Sequence, residues 1–292
     1  FEIVQLANWI TRLEPRSSAV WAYHAWNLAY NVGGLMPSPD DRWRWVRHGI
    51  ALLRDEGLVF NPGDSRLYAE LSWLFQDKIG STTDPAHRTY KRRLAEAVER
   101  FLPGGRLDRM DAARRDAFRE TWKMDPERMR TLEEDIGPLD WRGPFAHAAY
   151  WASAGLPFAE DDPSGPLRRL RRHGLLLLCT GGRVAVADEG ATLLLLPDPS
   201  KLEPVREHLE ELVRDPKRGA TYEDAYRYFL EQAVFLAAEL ESREAAERWF
   251  ELLRAAPGRS PDPGLDAFLI RYKTELAADP YRPLVLAGIL PP

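Results

Sequence analysis

The chain has 292 residues, 45% hydrophobic and 11% aromatic with ten tryptophans, enough apolar surface for one large or two ordinary folded domains, which excludes disorder as the default state. A formal net charge of −5 supplies no long-range positive field, so nucleic acid, whose binding rests on clustered Lys and Arg neutralising phosphates, is not an expected partner. The one cysteine, Cys179, has no disulfide partner in the chain and cannot build a thiolate metal site by itself.

The first stretch, FEIVQLANWITRLEP, reads as a helix already under way at Phe1, so a segment carrying a signal or anchor is expected upstream. The next, VWAYHAWNLAYN at 20–31, crowds two tryptophans, two tyrosines and a histidine into three helical turns. Apolar residues then recur at three- and four-residue spacing through Trp43, Val46, Ile50 and Leu53, and through Leu67, Leu71, Leu74 and Phe75. Between these runs lie LEPRSS, MPSPDD, FNPGDS and IGSTTDP, clusters of Pro, Gly, Ser and Asp that end one helix and cap the next. The predicted architecture is a series of helical hairpins over 1–102, followed by a charged helical connector over 103–138.

The remainder, 139–292, is read as further helical hairpins. In DWRGPFAHAAYWASAGL, Ala146, Ala149 and Ala152 permit close packing, and PLRRLRRHGLLLLC is the expected partner helix. A β-hairpin is predicted within 183–198, where two β-prone runs flank Asp188, Glu189 and Gly190; a frayed helix end is the alternative. Helical spacing returns through Phe229, Ala233, Leu236 and Leu240. The apolar runs at 174–179, 192–197 and 283–292 all fall short of the roughly 18–20 residues that span a bilayer.

Three of these segments share a frame. Trp21, Ala25 and Leu28 match Tyr68, Ser72 and Phe75, and match Phe229, Ala233 and Leu236 in a unit at 226–257 that continues in register through Ala245, Trp249, Leu252 and Pro257. Small residues let two antiparallel helices approach, large ones fill the space between them, and proline stops the second helix. This pattern resembles the tetratricopeptide repeat (TPR), whose period is about 34 residues. His24 and Gln232 stand where the repeat usually has Leu, and the step from Pro15 to Pro62 is 47 residues, a surplus assigned to the connection NVGGLMPSPDD. DRWRWVRHGIALLRDEGLVFNPGD is similar to uncharacterised bacterial TPR proteins that carry an N-terminal membrane segment.

The resemblance implies an all-α, TPR-like α-solenoid of antiparallel helix pairs with a small β-hairpin insertion, acting as a protein-binding scaffold or assembly subunit. By resemblance, the partner is another protein, bound as a peptide or helix in the concave groove, and the expected assembly is a membrane protein complex to which the domain is peripheral or anchored. The groove positions carried over from the family are Ala19, Ala22, Trp26, Ala29 and Tyr30 in the first unit, and Arg66, Ala69, Trp73, Gln76 and Asp77 in the second. Trp26, Tyr30, Arg66, Trp73, Gln76 and Asp77 are the candidate partner-binding residues, with Trp26 and Trp73 one above the other. Whether that face is open, or covered by the connection after Gly33, is undecided by sequence. The corresponding face of the C-terminal unit, Arg227, Leu230, Val234, Ala237 and Ala238, is read as an apolar surface and is expected to be covered by neighbouring helices.

No positive sign of catalysis, cofactor or metal binding accompanies this pattern. The six histidines form no His-x-x-x-His pair, no Gly-x-Ser-x-Gly elbow occurs, and TGGRV lacks the Lys-Ser of a phosphate loop. Cys179 follows a leucine run and is expected to be buried and inert. The rival reading is a helical small-molecule-binding or catalytic domain that uses His147 and Asp140 beside Trp141 and Trp151.

Overall fold

A computed structural model describes residues 2–159, 165–187, 192–216, 219–257 and 262–278. Helix α1 (Glu2–Leu13) ends before the turn at Pro15. Helix α2 (Ser18–Trp26) runs without a break through a π-helical turn, Asn27–Val32, into α3 (Gly33–Leu35). Helix α4 (Pro39–Ala51) starts with Pro39 in its first turn and Ser38 as cap, then passes through a second π-helical turn, Leu52–Gly57, into α5 (Leu58–Phe60). Helix α6 (Ser65–Trp73) is capped by Asp64, which accepts the Arg66 N–H at 2.9 Å, and it too continues as a π-helical turn, Leu74–Ile79.

The connection after Gly33 is therefore not a loop laid over a groove. The expected surplus residues lengthen both helices of the first pair, leaving only Met36, Pro37 and Ser38 between them. A physical reason is visible at each end: Gly33 lets Trp45 approach, and Arg42 Nε donates to the Met36 carbonyl at 2.7 Å, closing the turn.

Beyond α7 (His87–Glu99) come α8 (Ala112–Trp122) and α9 (Pro126–Ile136), capped by Asp111 and Asp125. Although this stretch is charged along its length, Phe118, Met129 and Ile136 are buried in the same core cluster as Trp21 and Phe229. Helices α10 (Pro144–Gly155) and α11 (Pro166–Gly181) pack on each other as expected, with Ala146, Ala149 and Ala152 buried. Strands β1 (Arg183–Ala187) and β2 (Thr192–Leu196) form the antiparallel hairpin, Val184 opposite Leu195 and Val186 opposite Leu193. The hairpin tip at 188–191 and the apolar run at 283–292 lie outside the described residues. Helices α12 (Leu202–Val213), α13 (Glu223–Leu240), α14 (Arg243–Ala255) and α15 (Leu265–Ala278) complete an all-α fold with one small sheet among the described residues.

Most residues that share the repeated frame pack; Leu252, expected at a packing position, is instead 36% exposed. Trp21, Ala25, Leu28, Tyr68, Ser72, Phe75, Phe229, Ala233, Leu236, Ala245 and Trp249 are all buried, and so is His24. Leu230, Val234 and Ala237, the face expected to be covered in the C-terminal unit, are each at 0% exposure. Helix α2 lies against α4 and α6, α6 against α10 and α11, and α13 against α14.

Close approach in the first pair depends on Gly49, where an added Cβ would stand 2.7 Å from the Ala25 carbonyl oxygen. Gly49→Ala is expected to destabilise by about 1–3 kcal/mol through overpacking, although alanine is the better helix former by about 1 kcal/mol. Gly34, with nothing within 4 Å, gives the control. There the same substitution is expected to raise the thermal midpoint slightly, and equal shifts in both variants would contradict close packing at Gly49.

Candidate functional site

Two π-helical turns carry the site. Asn27–Val32 and Leu74–Ile79 begin directly after Trp26 and Trp73, and the two tryptophans are 47 residues apart, as are Pro15 and Pro62. A π turn widens the helix by one residue and re-aims the turns beyond it, a distortion common at functional sites. Trp26 and Trp73 are each 38% exposed, and both line a groove of about 530 Å³. Its opposite wall is α11, through Pro166, Arg169, Leu170 and His173, while Ala69 and Glu70 complete the α6 side. The face is open among the described residues.

The other expected groove residues take different roles. Tyr30 stacks on Trp26 with ring centroids 5.4 Å apart, and its hydroxyl donates to Asp77 Oδ2 at 2.6 Å. Tyr30 and Asp77 are 47 residues apart, the same step as Trp26 and Trp73, and this bond ties the first π-helical turn to the turn after Trp73. Burial and the Asp77 carboxylate raise the Tyr30 phenol pKa, keeping it a donor. Gln76 is 3% exposed and serves as a strut: Nε2 donates to the Leu170 carbonyl at 2.8 Å and to Ser72 Oγ at 3.1 Å, and Oε1 meets His173 Nδ1 at 2.9 Å. Arg66 does not line the groove; its charge opposes the burial that raises the Glu70 pKa.

A second concavity of about 450 Å³ shares Trp73 and His173 with the first. It lies between the end of the second π turn, the loop through Ser81, Thr82 and Thr83, the start of α7, and the leucines of β2. Sequence reasoning missed this cavity. Lys91, only 5% exposed, lines it; its Nζ donates to the Ser81 carbonyl at 2.7 Å and lies 3.1 Å from His87 Nδ1. Burial, with the nearby Arg88 charge, lowers the Lys91 pKa to about 7, and burial lowers the His87 pKa to about 4.

No family model matches the chain, and comparisons with curated proteins and with solved structures return no match.

His147 and Asp140 are not brought together. His147 is fully buried: Nε2 donates to the Trp141 carbonyl at 2.8 Å, the ring stacks on Phe75, and Nδ1 has no hydrogen-bond partner among the described residues. Asp140 accepts two bonds from the Arg142 guanidinium and one from the Val184 N–H, fixing β1 to the turn before α10. Neither residue lines the groove or the cavity, which corrects the expectation that they form one site. Cys179 is buried, its Sγ directed to the Leu175 carbonyl, and burial raises its pKa, as an inert thiol requires. Among the described residues no cluster of three His, Cys, Asp or Glu could hold a metal ion, and no helix is long and apolar enough to cross a membrane.

Proposed function

We propose that the protein is a non-enzymatic scaffold or assembly subunit whose TPR-like helix pairs stack as an α-solenoid and hold a segment of another protein in the groove at Trp26 and Trp73. The observation that carries this reading is the pair itself: two indoles at equivalent positions, equally exposed, on one open concave face. A tryptophan left partly in water has apolar area to lose on binding, and such residues dominate interface energetics. The recurrence of a π turn after each tryptophan adds support, since both helices are distorted in the same way at the same repeat position.

The α6 wall from Ala69 to Trp73 spans on the order of 6 Å of helix, suited to about one turn of a partner helix or a short extended segment. Glu70 of α6 and Arg169 of α11 supply opposite charges in the groove lining that orient such a segment. In this reading the assembly is a membrane protein complex, with the described helices on its surface.

Affinity purification of the full-length chain from its native source, with and without detergent, tests the proposal. A stoichiometric partner recovered in detergent is the expected result. Recovery as a lone monomer under both conditions would contradict it.

A further inference from the structure

Lys91 is a buried amine without a counter-anion. Its two acceptors, the Ser81 carbonyl and His87 Nδ1, are neutral, and no carboxylate pairs with it among the described residues. The other buried lysines differ: Lys78 Nζ is 2.6 Å from Asp84 Oδ2, and Lys201 Nζ is 3.9 Å from Asp198 Oδ2. A buried cation unmatched by a negative charge is costly, and the cost falls when an anion completes the site. Arg88, one turn before Lys91 and exposed, lines the same cavity and adds a second positive group. Phe145, Leu177 and Leu195 give the cavity an apolar side; Ser81, Thr82, Thr83 and Thr180 add neutral polar groups, and the one carboxylate in the lining, Asp77, is engaged by the Tyr30 hydroxyl.

We infer that the Lys91 end of this cavity is a binding pocket for a carboxylate carried on an apolar group. Two of the ammonium protons are committed to Ser81 and His87, and the third is available to an acceptor in the cavity. Arg88 contributes a guanidinium at the mouth, and the leucines and Phe145 receive the apolar part. The same chemistry is presented by the C-terminus of a peptide ending in apolar residues and by a free apolar carboxylic acid. This inference does not rest on the protein-binding proposal, because a small acid reports on the pocket even if nothing binds at Trp26.

The test is calorimetric titration of the full chain with 4-phenylbutyrate and with 4-phenylbutyramide, alongside a short peptide ending in Val-Leu as free acid and as amide. The acids are expected to bind roughly ten- to hundred-fold more tightly than their amides, as a charge-assisted bond to a buried group implies. Lys91→Met is expected to abolish that difference. Arg88→Gln, at an exposed position where folding is not at stake, is expected to weaken the acids and leave the amides unchanged. Tighter, acid-dependent peptide binding assigns the ligand to a chain terminus; binding of phenylbutyrate alone assigns it to a free acid. Equal affinities for acid and amide, or no binding of either acid at millimolar concentration, would overturn the inference.

Discussion

Trp141→Ala is expected to cost about 4 kcal/mol, a large part of the roughly 5–15 kcal/mol that stabilises a typical domain. Trp141 is at 0% exposure and meets His147 and Tyr150 edge-on, with ring centroids 6.2 and 6.4 Å away. Its indole N–H donates to Glu133 Oε1 at 2.8 Å, so truncation leaves both a large cavity and a carboxylate short of a donor. Trp26→Ala, at a partly exposed position, is expected to change stability by less than about 1 kcal/mol. Urea midpoints at unchanged slope measure both. If the two variants lost equal stability, the division of the tryptophans into core and groove would be wrong.

The second large effect is acid destabilisation to which His147 contributes alongside His87 and His208, whose pKa values burial also lowers to about 4. Burial lowers the folded pKa of His147 to about 4, against 6.5 for the free imidazole. Between these values the unfolded chain binds a proton that the folded protein refuses, so stability is complete above about pH 6.5 and is lost as pH falls toward 4. The loss from this group is about 3 kcal/mol, since one pKa unit corresponds to about 1.4 kcal/mol. His147→Phe keeps a ring against Phe75 and removes the titration, with loss of the bond to the Trp141 carbonyl. That variant is expected to be less stable than the parent at about pH 7.5 yet to lose less on going to about pH 4.5, the carboxylates and the other lowered histidines, His87 and His208, being common to both. Parallel pH profiles would show that His147 is not among the groups that titrate.

Much of the fold was legible because it depends on local spacing. The packing positions Trp21, Ala25, Leu28, Phe229, Ala233 and Trp249 come from helical periodicity and repeat register, and they are buried. The hairpin was legible from alternation around Val184 and Val186. The helix continuing from Asn31 to Leu35 was not, because two glycines and an asparagine inside a helix look like a loop until a π turn and Trp45 are seen to hold them. The groove was half legible. Trp26 and Trp73 are given by the 47-residue step, whereas the α11 wall is supplied by residues such as His173, which bonds Gln76 across 97 positions. No local pattern carries such a pairing. The Lys91 cavity likewise joins α7, α11 and β2, and its only local trace is a lysine in a chain that has six.

In the function we propose, the Trp26–Trp73 face binds a partner and is not needed for folding. The most direct test is the double variant Trp26→Ala/Trp73→Ala, compared with the parent for capture of the native partner, helix content and urea midpoint. Capture is expected to fall by about thirty-fold or more, as loss of an interface anchor worth about 2 kcal/mol implies, with helix content unchanged and stability within about 1 kcal/mol. Undiminished capture by a folded double variant, or its failure to fold, would contradict the account.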